Sequence, residues 1–115
     1  LMADDNYNCA LAHAVCYGLQ HFEHVEREYL HGDLVAYGAL VQLAVDGQLD
    51  KARELRAFLV SLGTPVTLAQ MRVPLEKTAL HDALIEATTG PDMAHIPYPV
   101  TQDMVFDAMQ RVETL

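Results

Sequence analysis

Two uninterrupted apolar stretches constrain the fold of this chain most strongly. Residues 9–19 read CALAHAVCYGL and residues 34–45 read LVAYGALVQLAV, with His13 and Gln42 as their only strongly polar side chains. Runs of this length that contain Ala and Gly favour helix over strand. A helix that is apolar on every face is buried on every face. The sequence therefore predicts two helices at the centre of the core.

Turn and capping signals divide the chain into about six helical segments. The first core helix covers about residues 6–19, with Asp4, Asp5 or Asn6 as N-cap, and residues 20–30 form a connection or a short helix. Two further helices are expected early in the chain, one capped by Asp33 and closed at Asp46 and Gly47 and one from Asp50 to Gly63. After them we expect a short turn of helix with capping-box spacing from Thr67 to Gln70, a helix from Pro74 to Gly90 and Pro91, and a last helix capped by Thr101.

Apolar residues at helical spacing predict which faces of these later helices are buried. The expected buried sets are Leu55, Phe58, Leu59 and Leu62, then Leu80, Leu84 and Ala87, and finally Val105, Ala108, Met109 and Val112. The loop over residues 92–100 contains two prolines and should be extended. The fold class is all-α, a single bundle-like domain spanning residues 1–115.

Charge and cysteine content limit the partners and the compartment. A formal net charge of −9 opposes binding to phosphate backbones and to anionic lipid, so neither nucleic acid nor membrane is expected as a partner. Cys9 and Cys16 would lie roughly 10 Å apart along one helix, too far for a disulfide. Buried thiols, an acidic N-terminus without a signal peptide and no membrane-length apolar run indicate a cytoplasmic protein. Two fully buried helices also suggest a covering surface from another domain or from a homo-oligomer.

Histidines are the residues that best suit chemistry in this chain, and each also has a structural interpretation. His13 could be a neutral core histidine and His31 a loop histidine beside a helix start. Together, two imidazoles suit Zn²⁺ or Fe²⁺, but a catalytic site needs a third protein ligand. The candidates for that ligand are Asp4, Asp5, His21, His24, Glu28 and Asp33. His21 and His24 are expected to be solvated, His81 to be inert, and His95 to make a structural hydrogen bond.

Other catalytic chemistry finds little support in the sequence. Ser61 is the only serine and lacks the glycines of a nucleophile elbow. The chain contains no GxGxxG, no P-loop and no HExxH motif.

Three stretches carry a resemblance to a known family. ALAHAVCYGL (residues 10–19) resembles a helix with a metal-binding histidine, YLHGDLVAYGALVQLAV (29–45) resembles a segment in which His-Gly opens a long central helix, and HIPYPVTQDMVFDAM (95–109) resembles the entry into a last helix. SLGTPVTLAQM (61–71) is similar to a Gly-x-Pro-Thr-Thr-Leu turn. The chain resembles the C-terminal helical domain, of dehydroquinate synthase-like fold, of the group III iron- or zinc-dependent alcohol dehydrogenases, and most closely their glycerol dehydrogenase branch.

The resemblance implies a function that the chain would share with a larger enzyme. His13 and His31, eighteen positions apart as in the family, would bind a divalent metal, zinc rather than iron. The third ligand would be an aspartate from a segment of the enzyme N-terminal to the whole of this sequence. An N-terminal Rossmann-like domain, absent here, would bind NAD, with the active site in the cleft between the domains. The metal would act on a small polyol or hydroxy acid, whose hydride passes to the nicotinamide.

One position departs from the family pattern. Glycerol dehydrogenases tend to have a second histidine three residues after the first, where this chain has Cys16. The departure leaves another vicinal diol or a 2-hydroxy acid open as the substrate. A stand-alone helical module, binding metal weakly or serving in assembly, is the alternative from a different functional class, and a helical domain with a chance likeness is a third.

Overall fold

The computed structural model describes the backbone of residues 2–89 and 100–115 and the side chains of residues 11–88 and 100–115. Within these ranges the fold is all-α, which confirms the predicted class. The described residues form six helices: α1 (Met2–Leu19), α2 (Glu23–Glu28), α3 (His31–Val45), α4 (Leu49–Ser61), α5 (His81–Thr89) and α6 (Gln102–Glu113). None of the described helices is both long and apolar enough to cross a membrane.

Helix α1 lies between α3 and α5, and α3 also packs against α4 and α6. Both contacts of α1 depend on glycine, because the helix backbones approach closely at these points. A Cβ atom added to Gly18 would lie 2.5 Å from the carbonyl oxygen of Ala83, and Gly38 meets the backbone of Ala12 in the same way. These contacts fix how α1 lies against α5 at Gly18 and against α3 at Gly38.

The prediction of two core helices is confirmed, with one correction. Leu11, Val15 and Leu19 of α1 are buried, and so are seven of the fifteen residues of α3. Gln42, the one strongly polar residue of the apolar stretch over residues 34–45, is buried too, and its Oε1 accepts a hydrogen bond from the Ala12 backbone N–H at 3.2 Å. Helix α1 is not buried on every face, however, since Tyr17 is 42% exposed and His13 is half-buried.

The predicted N-caps of α3 and α4 are wrong. Helix α3 begins at His31 with Leu30 as N-cap, and the Asp33 carboxylate accepts from the Leu30 backbone N–H at 3.3 Å. Asp33 therefore acts from the third position of the helix, as the acidic member of a capping box does. Helix α4 begins at Leu49, and Asp50, in its first turn, pairs with Arg53 at 3.2 Å.

The apolar stripe predicted for α4 is buried only in part. Leu59 is buried and Leu55 is partly buried, whereas Phe58 and Leu62 are 59% and 61% exposed. Helix α4 packs mainly against α3, so only one side of the stripe reaches the core.

Residues 74–80 form no helix, contrary to the prediction of a helix starting at Pro74. These residues are irregular and turn-like, and α5 begins only at His81. The predicted buried set is nevertheless confirmed, because Leu80, Leu84 and Ala87 all lie in the core. The end predicted at Gly90 and Pro91 and the extended loop over residues 92–99 lie outside the described residues.

The two remaining capping predictions have different outcomes. Thr101 caps α6, since its Oγ1 accepts from the Met104 backbone N–H at 3.2 Å. The predicted buried face of α6 is also confirmed, with Val105, Ala108, Met109 and Val112 in the core. Between residues 67 and 70 the chain forms a turn rather than helix, in which the Gln70 N–H donates to Thr67 Oγ1 at 3.1 Å.

Candidate metal centre

The imidazole rings of His13 and His31 lie side by side although they come from different helices. Their centroids are 6.1 Å apart and their planes are inclined by 47°. His13 is half-buried and lies on the same side of α1 as the exposed Tyr17, and His31 is the exposed first residue of α3. The close packing of α1 on α3 brings the two rings together.

This separation suits two ligands of one metal ion. With metal–nitrogen distances of about 2.1 Å, two imidazoles on one zinc ion place their ring centroids roughly 5–6 Å apart. The arrangement supplies two nitrogen donors at a solvent-accessible position, and neutral imidazole suits zinc and iron. The donor pair therefore fits a divalent transition metal.

Tyr17 forms the third side of the ring cluster. Its ring centroid lies 6.4 Å from that of His13 and 6.1 Å from that of His31. Because Tyr17 follows His13 by four positions on α1, the two side chains share one face of the helix. That spacing was visible in the sequence and could have identified Tyr17 as a neighbour of the site.

Cys16 contacts His31 from the buried side of the cluster. Its Sγ atom lies 3.4 Å from Nδ1 of His31 and 3.8 Å from the His31 carbonyl oxygen, to which the thiol donates. The side chain is 0% exposed, which confirms the prediction of a buried thiol at this position, whereas Cys9 lies outside the described side chains. Burial raises the pKa of the Cys16 thiol to about 11, so the group is a neutral S–H at physiological pH.

The structure does not bring a third ligand to the histidine pair within the described residues. Among those residues, no group of three His, Cys, Asp or Glu side chains is arranged to hold a metal ion. Of the candidates, Glu28 pairs with Arg72, and Asp33 is occupied by its capping hydrogen bond. The side chains of Asp4 and Asp5 lie outside the described residues.

The other histidines have separate surroundings. His21 is exposed as predicted, with its Nε2 at 4.0 Å from the Glu86 carboxylate, and His81 is exposed at the start of α5. The prediction that His24 is solvated is wrong, because it is half-buried and its Nε2 lies 3.0 Å from the Met71 carbonyl oxygen. His95 lies outside the described residues.

Comparison with known proteins finds relatives that are named as dehydrogenases. It is 36% identical over 107 residues to hydroxycarboxylate dehydrogenase A of Escherichia coli K12, covering 91% of this chain and 29% of that protein. It is 32% identical over 103 residues to glycerol dehydrogenase of Pseudomonas putida, covering 87% of this chain and 28% of that protein. This chain belongs to the group III alcohol dehydrogenase superfamily.

A third relative agrees with this membership. The glycerol dehydrogenase of Thermotoga maritima is 32% identical over 109 residues, covering 90% of this chain and 29% of that protein. No family model matches the chain. The chain spans less than a third of the length of these group III alcohol dehydrogenase relatives and fits their C-terminal part.

Proposed function

We propose that the chain provides the helical, metal-binding half of the active site of an NAD-dependent and metal-dependent dehydrogenase. The observation that carries the proposal is the convergence of His13 and His31, 6.1 Å apart between ring centroids, on the exposed side of α1 and α3. Support also comes from relatives named as glycerol and hydroxycarboxylate dehydrogenases, which align over about nine-tenths of the chain.

In this proposal His13 and His31 hold one divalent metal ion, zinc rather than iron. The third ligand is an aspartate from a segment of the enzyme N-terminal to this sequence, and NAD is bound by a Rossmann-like N-terminal domain. A metal bound here would polarise a substrate hydroxyl, and NAD would accept the hydride. Imidazole nitrogens fit this role because they remain neutral when they coordinate and leave the net charge of the metal available to the substrate.

The chain's own residues also shape the surroundings of the metal position. The exposed Tyr17 ring stands beside both imidazoles and would form one wall for a bound substrate. Cys16 lies beneath His31 and is 0% exposed, so it does not present a charged or strongly basic group to that space. A small polyol or a 2-hydroxy acid is the proposed substrate class, in line with the names of the relatives.

Metal titration of the 115-residue chain tests the site. We expect one equivalent of Co²⁺ or Zn²⁺ to bind, and His13→Ala or His31→Ala to weaken the affinity at least about tenfold, since each removes one of the few protein ligands. His21→Ala is the matched control, because the His21 side chain is exposed and its Nε2 lies 4.0 Å from the Glu86 carboxylate, away from the two site histidines. Equal affinity in wild type and in both site variants would overturn the proposed site.

Activity of the natural protein in which this chain occurs tests the reaction. The proposal expects NAD-linked oxidation of glycerol, a vicinal diol or a 2-hydroxy acid, abolished by His31→Ala and retained by His21→Ala. Metal binding without oxidation of any of these substrates would instead support a stand-alone, non-catalytic helical module.

A further inference from the structure

Two contacts of Cys16 involve the same residue, His31, at two different atoms. The thiol donates to the carbonyl oxygen of His31, with 3.8 Å between sulfur and oxygen, and the sulfur lies 3.4 Å from Nδ1 of the imidazole. A thiol has one proton, and a sulfur atom also accepts hydrogen bonds weakly. If the proton points to the carbonyl, the sulfur faces Nδ1 with its lone pairs.

We propose that Cys16 is a positioning residue that holds His31 in the tautomer with a proton on Nδ1, which leaves the lone pair of Nε2 to bind metal. The proposal rests on the proposed metal site, but the tautomer itself is a property of the metal-free chain. A neutral imidazole carries one proton, so an Nδ1–H donated to sulfur requires an unprotonated Nε2. Metal-binding histidines usually donate their other N–H to a carboxylate, a carbonyl or water, and here a thiol takes that place.

The position of Cys16 explains why it would orient His31 rather than bind the metal itself. The side chain is fully buried, while the His31 side chain is exposed, so the sulfur lies on the protein side of the ring. A metal on Nε2 would be at the opposite edge of the imidazole from the sulfur. Metal ligation by cysteine also requires a thiolate, which burial in apolar surroundings disfavours.

Nuclear magnetic resonance of the metal-free, ¹⁵N-labelled 115-residue chain tests the tautomer directly. At pH about 8, where histidines are mostly neutral, long-range ¹H–¹⁵N correlations of each ring distinguish Nδ1–H from Nε2–H. We expect the Nδ1–H form for His31 in the wild type. We expect Cys16→Ala to shift the tautomer equilibrium of His31 towards the Nε2–H form. Cys16→Ser keeps a hydrogen-bond acceptor at this position and should restore part of the Nδ1–H population. Val15→Ala is the control for a cavity beside this position, because Val15 is buried and should leave the His31 tautomer unchanged.

Zinc affinity gives a second and independent readout. Loss of a partner that orients a metal ligand typically weakens binding by about 10-fold to 100-fold, so Cys16→Ala should bind zinc at least about tenfold more weakly than Val15→Ala. The Nε2–H form of His31 in the wild-type chain would overturn the inference, and this outcome can be read even if Cys16→Ala does not fold. The inference is also overturned if the His31 signals of Cys16→Ala are identical to those of the wild type.

The two readouts also separate this inference from the proposed function. If His31 of the wild-type chain has the Nδ1–H form but the chain does not bind zinc, the result contradicts the metal site and supports the role of Cys16 in orienting the ring. Zinc binding to a chain whose His31 carries the Nε2 proton would support the metal site and contradict the role of Cys16.

Discussion

Gly38 of α3 lies directly against the backbone of Ala12 in α1, where an added Cβ atom would come within 2.8 Å of the Ala12 Cα atom. Overpacking at such a contact typically costs about 1–3 kcal/mol, so we expect Gly38→Ala to lower the free energy of unfolding by that amount. Because His13 follows Ala12 directly, the variant should also move His13 relative to His31 and weaken zinc binding. Urea denaturation and zinc titration measure the two effects.

Gly32→Ala is the matched control in the same helix. A Cβ atom at Gly32 would meet nothing within 4 Å, and alanine favours helix over glycine by up to about 1 kcal/mol. This variant should therefore be as stable as the wild type or slightly more stable. If Gly38→Ala and Gly32→Ala were equally stable, the close approach of α1 and α3 would be contradicted.

The Thr101 cap should contribute measurably to the stability of α6. Its Oγ1 accepts from the Met104 N–H at 3.2 Å, and replacing such a cap by alanine usually costs about 1 kcal/mol. We expect Thr101→Ala to lose about that amount in chemical denaturation and Thr101→Ser to recover most of it. Thr114→Ala is the comparison at the other end of the helix, where the hydroxyl contact to the Arg111 carbonyl is long, at 3.4 Å, and exposed. If Thr101→Ala lowered the free energy of unfolding no more than Thr114→Ala does, the result would argue against a stabilising cap at Thr101.

The spacing of apolar residues predicts which segments of this chain are helical better than it predicts the residue at which each helix begins. The all-α class, the two core helices and the buried face of α6 follow from apolar spacing and confirm that local pattern and packing agree. The predicted start of α3 is wrong because Asp33 can cap a helix from two positions, and only the backbone conformation of Leu30 decides between them. The helix predicted to begin at Pro74 begins only at His81. The helical spacing of Leu80 and Leu84 predicts a helix around these two residues, but it does not determine whether the residues before Leu80 are helical.

The candidate site was predictable only through likeness to a family. Periodicity places His13 and His31 on separate helices, and nothing local to either residue indicates that the rings meet. Their proximity results from the glycine-dependent packing of α1 on α3. The contact between Cys16 and His31 joins residues fifteen positions apart across a turn and a short helix, which sequence spacing alone does not predict.

The hydrogen bond of His24 to the Met71 carbonyl should stabilise the turn over residues 67–73. His24 is half-buried on α2, and the Met71 backbone it contacts belongs to a fully buried residue. Removing the imidazole leaves that carbonyl without this partner, which costs about 1–3 kcal/mol when the acceptor is buried. We expect His24→Ala to lower the free energy of unfolding by roughly that amount, measured by urea denaturation. The nearby exposed His21, replaced by alanine, should change stability by less than about 0.5 kcal/mol, and equal losses in the two variants would contradict the expectation.

Tyr37 should make the stability of the chain fall at alkaline pH. The side chain is 0% exposed, and its hydroxyl has no hydrogen-bond partner among the described residues. Burial, and secondarily the negative charge of Glu113, raises the pKa of the Tyr37 phenol well above its ordinary value of 10.0. The folded state therefore holds a proton that the unfolded state releases as the pH rises above 10, so stability decreases by up to about 1.4 kcal/mol per pH unit.

Tyr37→Phe isolates this contribution, because it removes the titrating group and keeps the ring. At neutral pH the variant should be as stable as the wild type or more stable, since it also removes a buried hydroxyl without a described partner. Above pH 10 its advantage should grow as the wild type loses stability, whereas Tyr17→Phe, at an exposed position, should follow the wild type. Glu113→Gln removes a negative charge that raises the pKa of the Tyr37 phenol in the folded state. The decline should therefore end at a lower pH in this variant, and the total loss of stability should be smaller than in the wild type. Parallel pH profiles for the wild type and Tyr37→Phe would show that the phenol is not held neutral by the fold.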